Sequence, residues 1–128
     1  MFDPPVIAVV EDDEAMREAF CDLLQVLGLS CRAFDRAEAF LAAYEPRAFD
    51  CLISDVQLPG ISGLELLQRL KSMDSAMPVI IVTSHADPGL RSRAMAHGAH
   101  GFLTKPLAND ALLECLRSAL QRGDGWLI

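Results

Sequence analysis

The sequence predicts an α/β fold, a parallel sheet covered by helices on both faces. Three observations carry that expectation. Short apolar runs of strand length alternate with stretches of helical spacing, five of each. The two strongest runs, Val6–Val10 and Val79–Val82, are continuously apolar, as strands buried on both faces are. Residues with distinct chemistry follow four of the runs: Glu11-Asp12-Asp13, Asp55, Thr83 and Lys105. Parallel strands joined through helices also imply right-handed crossovers.

Each element has its own signals. After Val6–Val10, the first helix carries Met16, Phe20, Leu23, Leu24 and Leu27 and stops at Gly28, a C-terminal cap signal. Leu29–Phe34 is a second, weaker strand. Asp35 and Glu38 have the spacing of a capping box for the second helix, and Pro46 lies just beyond its end. Cys51–Ser54 delivers Asp55 to the end of the third strand, and Pro59-Gly60 breaks regular structure. Ser62 and Glu65 suggest another capping box, before a helix carrying Leu64, Leu67 and Leu70. Pro78 precedes the fourth strand, which ends in Thr83-Ser84-His85. Asp87-Pro88 reads as an N-cap with proline at the first helical position, opening a helix that runs to Gly98. Gly101–Thr104 is a short fifth strand ending in Lys105-Pro106. Leu112, Leu113, Leu116 and Leu120 mark the last helix, and Gly123 to Ile128 reads as a stop followed by an apolar end that includes Trp126 and Leu127.

With 128 residues, 52% of them hydrophobic, the chain suits one domain with its own core. The expected domain spans 1–128, with the core at about 5–122 and 123–128 as a tail or the start of a linker. No apolar run approaches the ~20 residues needed to cross a membrane, and Met1-Phe2-Asp3-Pro4-Pro5 lacks a basic signal-peptide region. Cys21, Cys31, Cys51 and Cys115 show no Cys-x-x-Cys spacing and sit in apolar stretches, so reduced thiols and a cytoplasmic setting are expected. A net charge of −7 makes direct binding to nucleic acid phosphates unexpected, and suits a small cation or a partner with a basic or apolar surface.

In a parallel sheet the four chemistry-bearing strand ends share one edge, where ligand crevices open. If the first and third strands are neighbours, Asp12 and Asp55 hang from strands about 4.8 Å apart. Carboxylates that close either take up protons or bind a cation, and an all-oxygen set suits Mg²⁺ or Mn²⁺. Asp13 and Glu14 are assigned instead to the helix N-terminus, which acidic residues favour. Asp55 is the candidate nucleophile for a phosphoryl group. Thr83 and Lys105 would supply a hydroxyl donor and an ammonium to its oxygens, so that catalysis is mainly positioning and charge stabilisation.

The chain resembles the receiver domain of two-component response regulators. The matching pieces are Val9-Val10-Glu11-Asp12, Ser54-Asp55 with Leu58-Pro59-Gly60 and Gly63, Val82-Thr83-Ser84, and Phe102-Leu103-Thr104-Lys105-Pro106. The resemblance implies a flavodoxin-like, doubly wound sheet of order 2-1-3-4-5. It implies phosphorylation of Asp55 by a sensor histidine kinase or a histidine phosphotransfer protein. Asp12 and Asp55 would bind Mg²⁺ through side chains, Glu11 through water, and Gln57 through its backbone carbonyl. Lys105 would contact the phosphoryl group, beside a cis peptide to Pro106. Thr83 would swing toward that group, and Phe102 would turn into the space. The repacked helix 4–strand 5–helix 5 surface would then dock partners or a second copy.

Two positions depart from the commonest pattern: Glu11 replaces the usual first Asp, and Ser84, where Ala or Gly is frequent, is a candidate for tuning through loop motion. Gln57 and His85 flank the crevice and are candidates for tuning the lifetime of an aspartyl phosphate. A signalling switch, rather than a turnover enzyme, is the expected role. The competing roles are a docking adaptor that needs no phosphorylation and a Mg²⁺-dependent phosphohydrolase, for which Gln57 lacks the acid to protonate a leaving group.

Overall fold

The computed structural model describes residues 4–85 and 87–120. The expected stop at Gly123 and the apolar end at Trp126–Ile128 lie outside the described residues. In chain order the elements are β1 (Val6–Val10), α1 (Glu14–Val26), β2 (Ser30–Phe34), α2 (Ala37–Ala43), β3 (Cys51–Asp55), α3 (Gly63–Ser72), β4 (Val79–Thr83), α4 (Pro88–Ala96), β5 (Gly101–Thr104) and α5 (Asn109–Ala119). The sheet is parallel throughout, in the order β2-β1-β3-β4-β5. Fold class and strand order agree with the expectation.

The apolar runs explain the layering. Along β1, Ile7 and Val9 face one layer while Ala8 and Val10 face the other, the period-two alternation of a strand buried on both sides. Ile7, Val9, Ile53 and Val82 pack with Phe20, Leu24, Leu112 and Leu116, under α1 and α5. Ala8, Val10, Leu52 and Ile81 pack with Phe40, Leu66, Leu67 and Leu70, under α2 and α3. Every residue of β3 and β4 is buried, whereas β2, at the edge, has only half-buried and exposed positions. Register then brings the strand ends together: Val10 pairs with Ser54, Asp55 with Val82, and Thr83 with Thr104.

The caps follow the expectation in part. Asp87 accepts from the Gly89 N–H at 2.9 Å, with Pro88 opening α4. Ser62 accepts from the Glu65 N–H at 3.2 Å, but the Glu65 carboxylate pairs with Arg69 at 2.8 Å. The Asp35–Glu38 box does not form. Asp35 pairs with Arg36, and the Glu38 carboxylate reaches 23 residues ahead to the Ile61 N–H at 3.2 Å. There it lies against Gly60, whose φ of +74° suits glycine, and where an added Cβ would collide with that carboxylate. A tertiary contact has displaced the local cap.

The expectation of four reduced thiols is also corrected. Cys21 of α1 and Cys31 of β2 form a disulfide, with Cα atoms 5.5 Å apart; Cys51 and Cys115 are free. The α1–β2 turn folds one half-buried cysteine back onto the other, so spatial adjacency replaces sequence spacing. Alkylation of the unfolded, unreduced chain should label two thiols, and all four only after reduction. Four labels without reduction would contradict the crosslink. Replacing both Cys21 and Cys31 by Ser should lower the unfolding free energy by about 2.5 kcal/mol, the loop-closure value for so short a ring, as read from urea midpoints.

Burial pushes the Cys51 thiol far above its ordinary value of 9.0, and the nearby Cys115 thiol adds to the shift. Burial raises Cys115 as well. The unfolded thiols therefore ionise first. The stability held in the neutral thiols is intact below pH 9.0 and is lost as pH rises beyond it. The urea midpoint should fall as pH rises above 9.0, with a shallower fall in Cys51→Ala. An identical slope in that variant would rule the assignment out.

Candidate functional site

The C-terminal edge of β1, β3, β4 and β5 collects the residues singled out in the sequence. Glu11 follows β1 and is 2% exposed; Asp55 ends β3 and is 7% exposed; Asp12, between them and solvent, is exposed. One carboxylate oxygen from each of the three lies within 4.8 Å of the others. Lys105, just past β5, places Nζ 2.6 Å from Asp55 Oδ2 and 2.7 Å from Glu11 Oε1. The second oxygen of each carboxylate is also held: Asp55 Oδ1 accepts from the Gln57 N–H at 3.0 Å, and Glu11 Oε2 from the Asp13 N–H at 3.1 Å.

The electrostatics follow from burial and from this crowding. Burial raises the Glu11 carboxyl above its usual range and Asp55 adds to the rise; the Lys105 and Asp13 hydrogen bonds work against it. Burial alone would lower the Lys105 ammonium, but the hydrogen bonds it donates to Asp55 and Glu11 outweigh that effect and raise Lys105 above its ordinary value. Lys105 is thus held in its charged form. Three carboxylates against one ammonium leave the cluster with a negative surplus when all are ionised. The donor set is all oxygen and partly open to solvent, the chemistry that Mg²⁺ or Mn²⁺ takes. Glu11, Asp12 and Asp55 fit such an ion.

The other expected residues take different places. Thr83 is buried; its Oγ1 accepts from the His85 N–H at 3.1 Å, and its carbonyl accepts from the Lys105 N–H at 2.8 Å. Ser84 and His85 are exposed at the mouth of the β4–α4 loop, and Gln57 is exposed beyond Asp55. The Lys105–Pro106 peptide is cis. Phe102 is already buried in the core layer, with the Arg91 guanidinium 5.8 Å from its ring centroid. It lines a groove of ≈ 480 Å³ framed by α4, β5 and the start of α5.

Two residues to which the sequence analysis gave no role support this edge. Gly63 packs so closely that an added Cβ would strike the Asp55 carbonyl, while its N–H donates to the Val56 carbonyl at 2.9 Å. It stood in the motif, without a stated role. Arg17, in the first turns of α1, donates to the carbonyls of Glu11 at 2.8 Å and Asp12 at 3.4 Å. The signal for it was a cation near a helix N-terminus, a place that cations disfavour.

Known proteins resemble this chain in sequence and fold. The family described as "Response regulator receiver domain" matches residues 7–117. The transcriptional regulatory protein FixJ of Bradyrhizobium diazoefficiens is 42% identical over 118 residues, which cover 92% of this chain and 58% of that protein. The response regulator protein TodT of Pseudomonas putida is 37% identical over 116 residues, 91% of this chain and 51% of that protein. Full-length FixJ from B. japonicum superposes with a TM-score of 0.86 at 40% identity, over 94% of this chain and 60% of that one. The structure titled FixJ-N does so with a TM-score of 0.83 at 29% identity, over 97% and 98%. The chain thus spans little more than half the length of the curated relatives it matches. Matched across nearly all of its sheet and helices, it belongs to the response regulator receiver domains of two-component signalling systems.

Proposed function

We propose that Asp55 accepts a phosphoryl group from a histidine of a sensor kinase or phosphotransfer protein, and that the aspartyl phosphate switches the surface of α4, β5 and α5. The observation that carries this reading is the Lys105 ammonium bridging Asp55 and Glu11 beside a third carboxylate, Asp12. In the reaction an Asp55 carboxylate oxygen bonds to phosphorus as the phosphorus–nitrogen bond of phosphohistidine breaks. The electron pair leaves with the imidazole, which takes up a proton. The Gln57 N–H holds Asp55 in one rotamer for attack. Lys105 binds the equatorial oxygens, and the Thr83 hydroxyl, released from His85, donates to them. Glu11, Asp12 and Asp55, with the Gln57 carbonyl, would hold Mg²⁺ or Mn²⁺, which when bound would offset the negative charge of the phosphoryl group. Gln57 and His85, exposed beside the site, are placed to govern the access of water to the product.

The output is read from the face that contains Phe102. Movement of Thr83 would alter the packing of Phe102 and hence the ≈ 480 Å³ groove, where a partner or second copy would dock. The relatives' names support transcriptional control as the output, exerted through a part other than this acidic domain. Among the described residues no helix is long and apolar enough to cross a membrane. We place the domain in the cytoplasm.

Acetyl phosphate with Mg²⁺ should add one phosphate to the wild type by intact mass, and none to Asp55→Asn or in EDTA. An equal adduct on folded Asp55→Asn would overturn the assignment. Lys105→Met should slow the same reaction by about ten- to a hundredfold, the range for a lost charge-assisted hydrogen bond in the transition state. An unchanged rate would remove Lys105 from the chemistry.

A further inference from the structure

Asp12 is the exposed member of the acidic trio, and among the described residues its carboxylate has no hydrogen-bond partner. Its direction is therefore decided by the backbone of the turn between β1 and α1. That turn is held at its start by the Glu11 N–H donating to the Phe34 carbonyl at 3.1 Å. The Glu11 carboxylate holds its end, through the Asp13 N–H at 3.1 Å. The middle is held from α1, where Arg17 Nη1 lies 2.8 Å from the Glu11 carbonyl oxygen and 3.4 Å from that of Asp12.

Two electrostatic effects oppose an arginine here. The helix dipole disfavours a cation in the first turns, and a positive charge beside the acidic trio repels any cation that enters it. The guanidinium offsets these effects locally, because its Nη1 donates to both carbonyl oxygens. The rigid, planar guanidinium fixes where Nη1 sits, which the flexible stem of a lysine does not.

We propose that Arg17 is a positioning residue: clamped on the Glu11 and Asp12 carbonyls, it holds the turn so that the Asp12 carboxylate meets Glu11 and Asp55 around one divalent cation. This rests on the reading of the trio as a cation site. Geometry and charge make opposite predictions, which gives the proposal a sign. Removing a positive charge tightens cation binding if Arg17 acts only through its charge. Removing the clamp loosens binding if Arg17 acts by position.

The test is Mn²⁺ affinity of the unphosphorylated full chain, read by electron paramagnetic resonance, with melting temperature recorded in parallel. Arg17→Ala should weaken Mn²⁺ binding by about tenfold, the effect of losing a charge-assisted hydrogen bond. Arg17→Lys, which keeps the charge and loses the rigid guanidinium, should fall about threefold and so recover part of the loss. It also carries the test if Arg17→Ala does not fold. Wild-type or tighter affinity in either folded variant overturns the proposal, and a lowered melting temperature with unchanged affinity does the same. If wild-type binding is absent, or unaltered in both Asp12→Asn and Asp55→Asn, the cation-site reading itself fails and the role of Arg17 falls with it.

Discussion

Three carboxylates brought within 4.8 Å of one another repel, and the Lys105 ammonium, 2.6 Å from Asp55 and 2.7 Å from Glu11, is the cation that touches two of them. Its contacts draw together the ends of β1, β3 and β5. Lys105 compensates only part of the negative charge, so the cluster retains its attraction for a further cation. Such a site suits reversible chemistry: the ammonium is already seated where a phosphoryl group would place negative charge, and little has to reorganise.

The sheet makes that meeting possible. Because β1 lies between β2 and β3, the chain reverses its order of addition after β2, and the crevice opens at the ends of β1 and β3. The burial of β3 and β4 on both faces fixes their registers, since a one-residue slip would send apolar side chains to the wrong layer. Asp55 and Thr83 therefore owe their places to the core beneath them. The same core links site to surface. The Thr83 carbonyl holds the backbone of Lys105, and Phe102, two residues before Thr104, lines the groove between α4 and α5. A change in the packing of Thr83 has a short route to that face.

What was legible in the sequence shares a physical basis. Continuous apolar runs mark strands buried on both sides, so the positions of Glu11, Asp55 and Thr83 could be read from where those runs stop. Asp87 and Ser62 acted as caps because their partners are two and three residues away. The exceptions depend on contacts that the local side-chain pattern does not encode. Glu38 has the spacing of a capping residue, yet its carboxylate serves the loop at Ile61. Cys21 and Cys31 lie ten residues apart, in different elements, and only the α1–β2 turn brings them together. Arg17 acts on backbone carbonyls, which no side-chain motif encodes.

The proposed switch depends on which carboxylate takes the phosphoryl group. Borohydride reduces an aspartyl phosphate to homoserine, so peptide mass spectrometry of the phosphorylated, reduced chain locates the modified residue. Homoserine at position 55, with Glu11 and Asp12 unchanged, is the predicted result. Reduction product at Asp12 or elsewhere, with Asp55 intact, would contradict it.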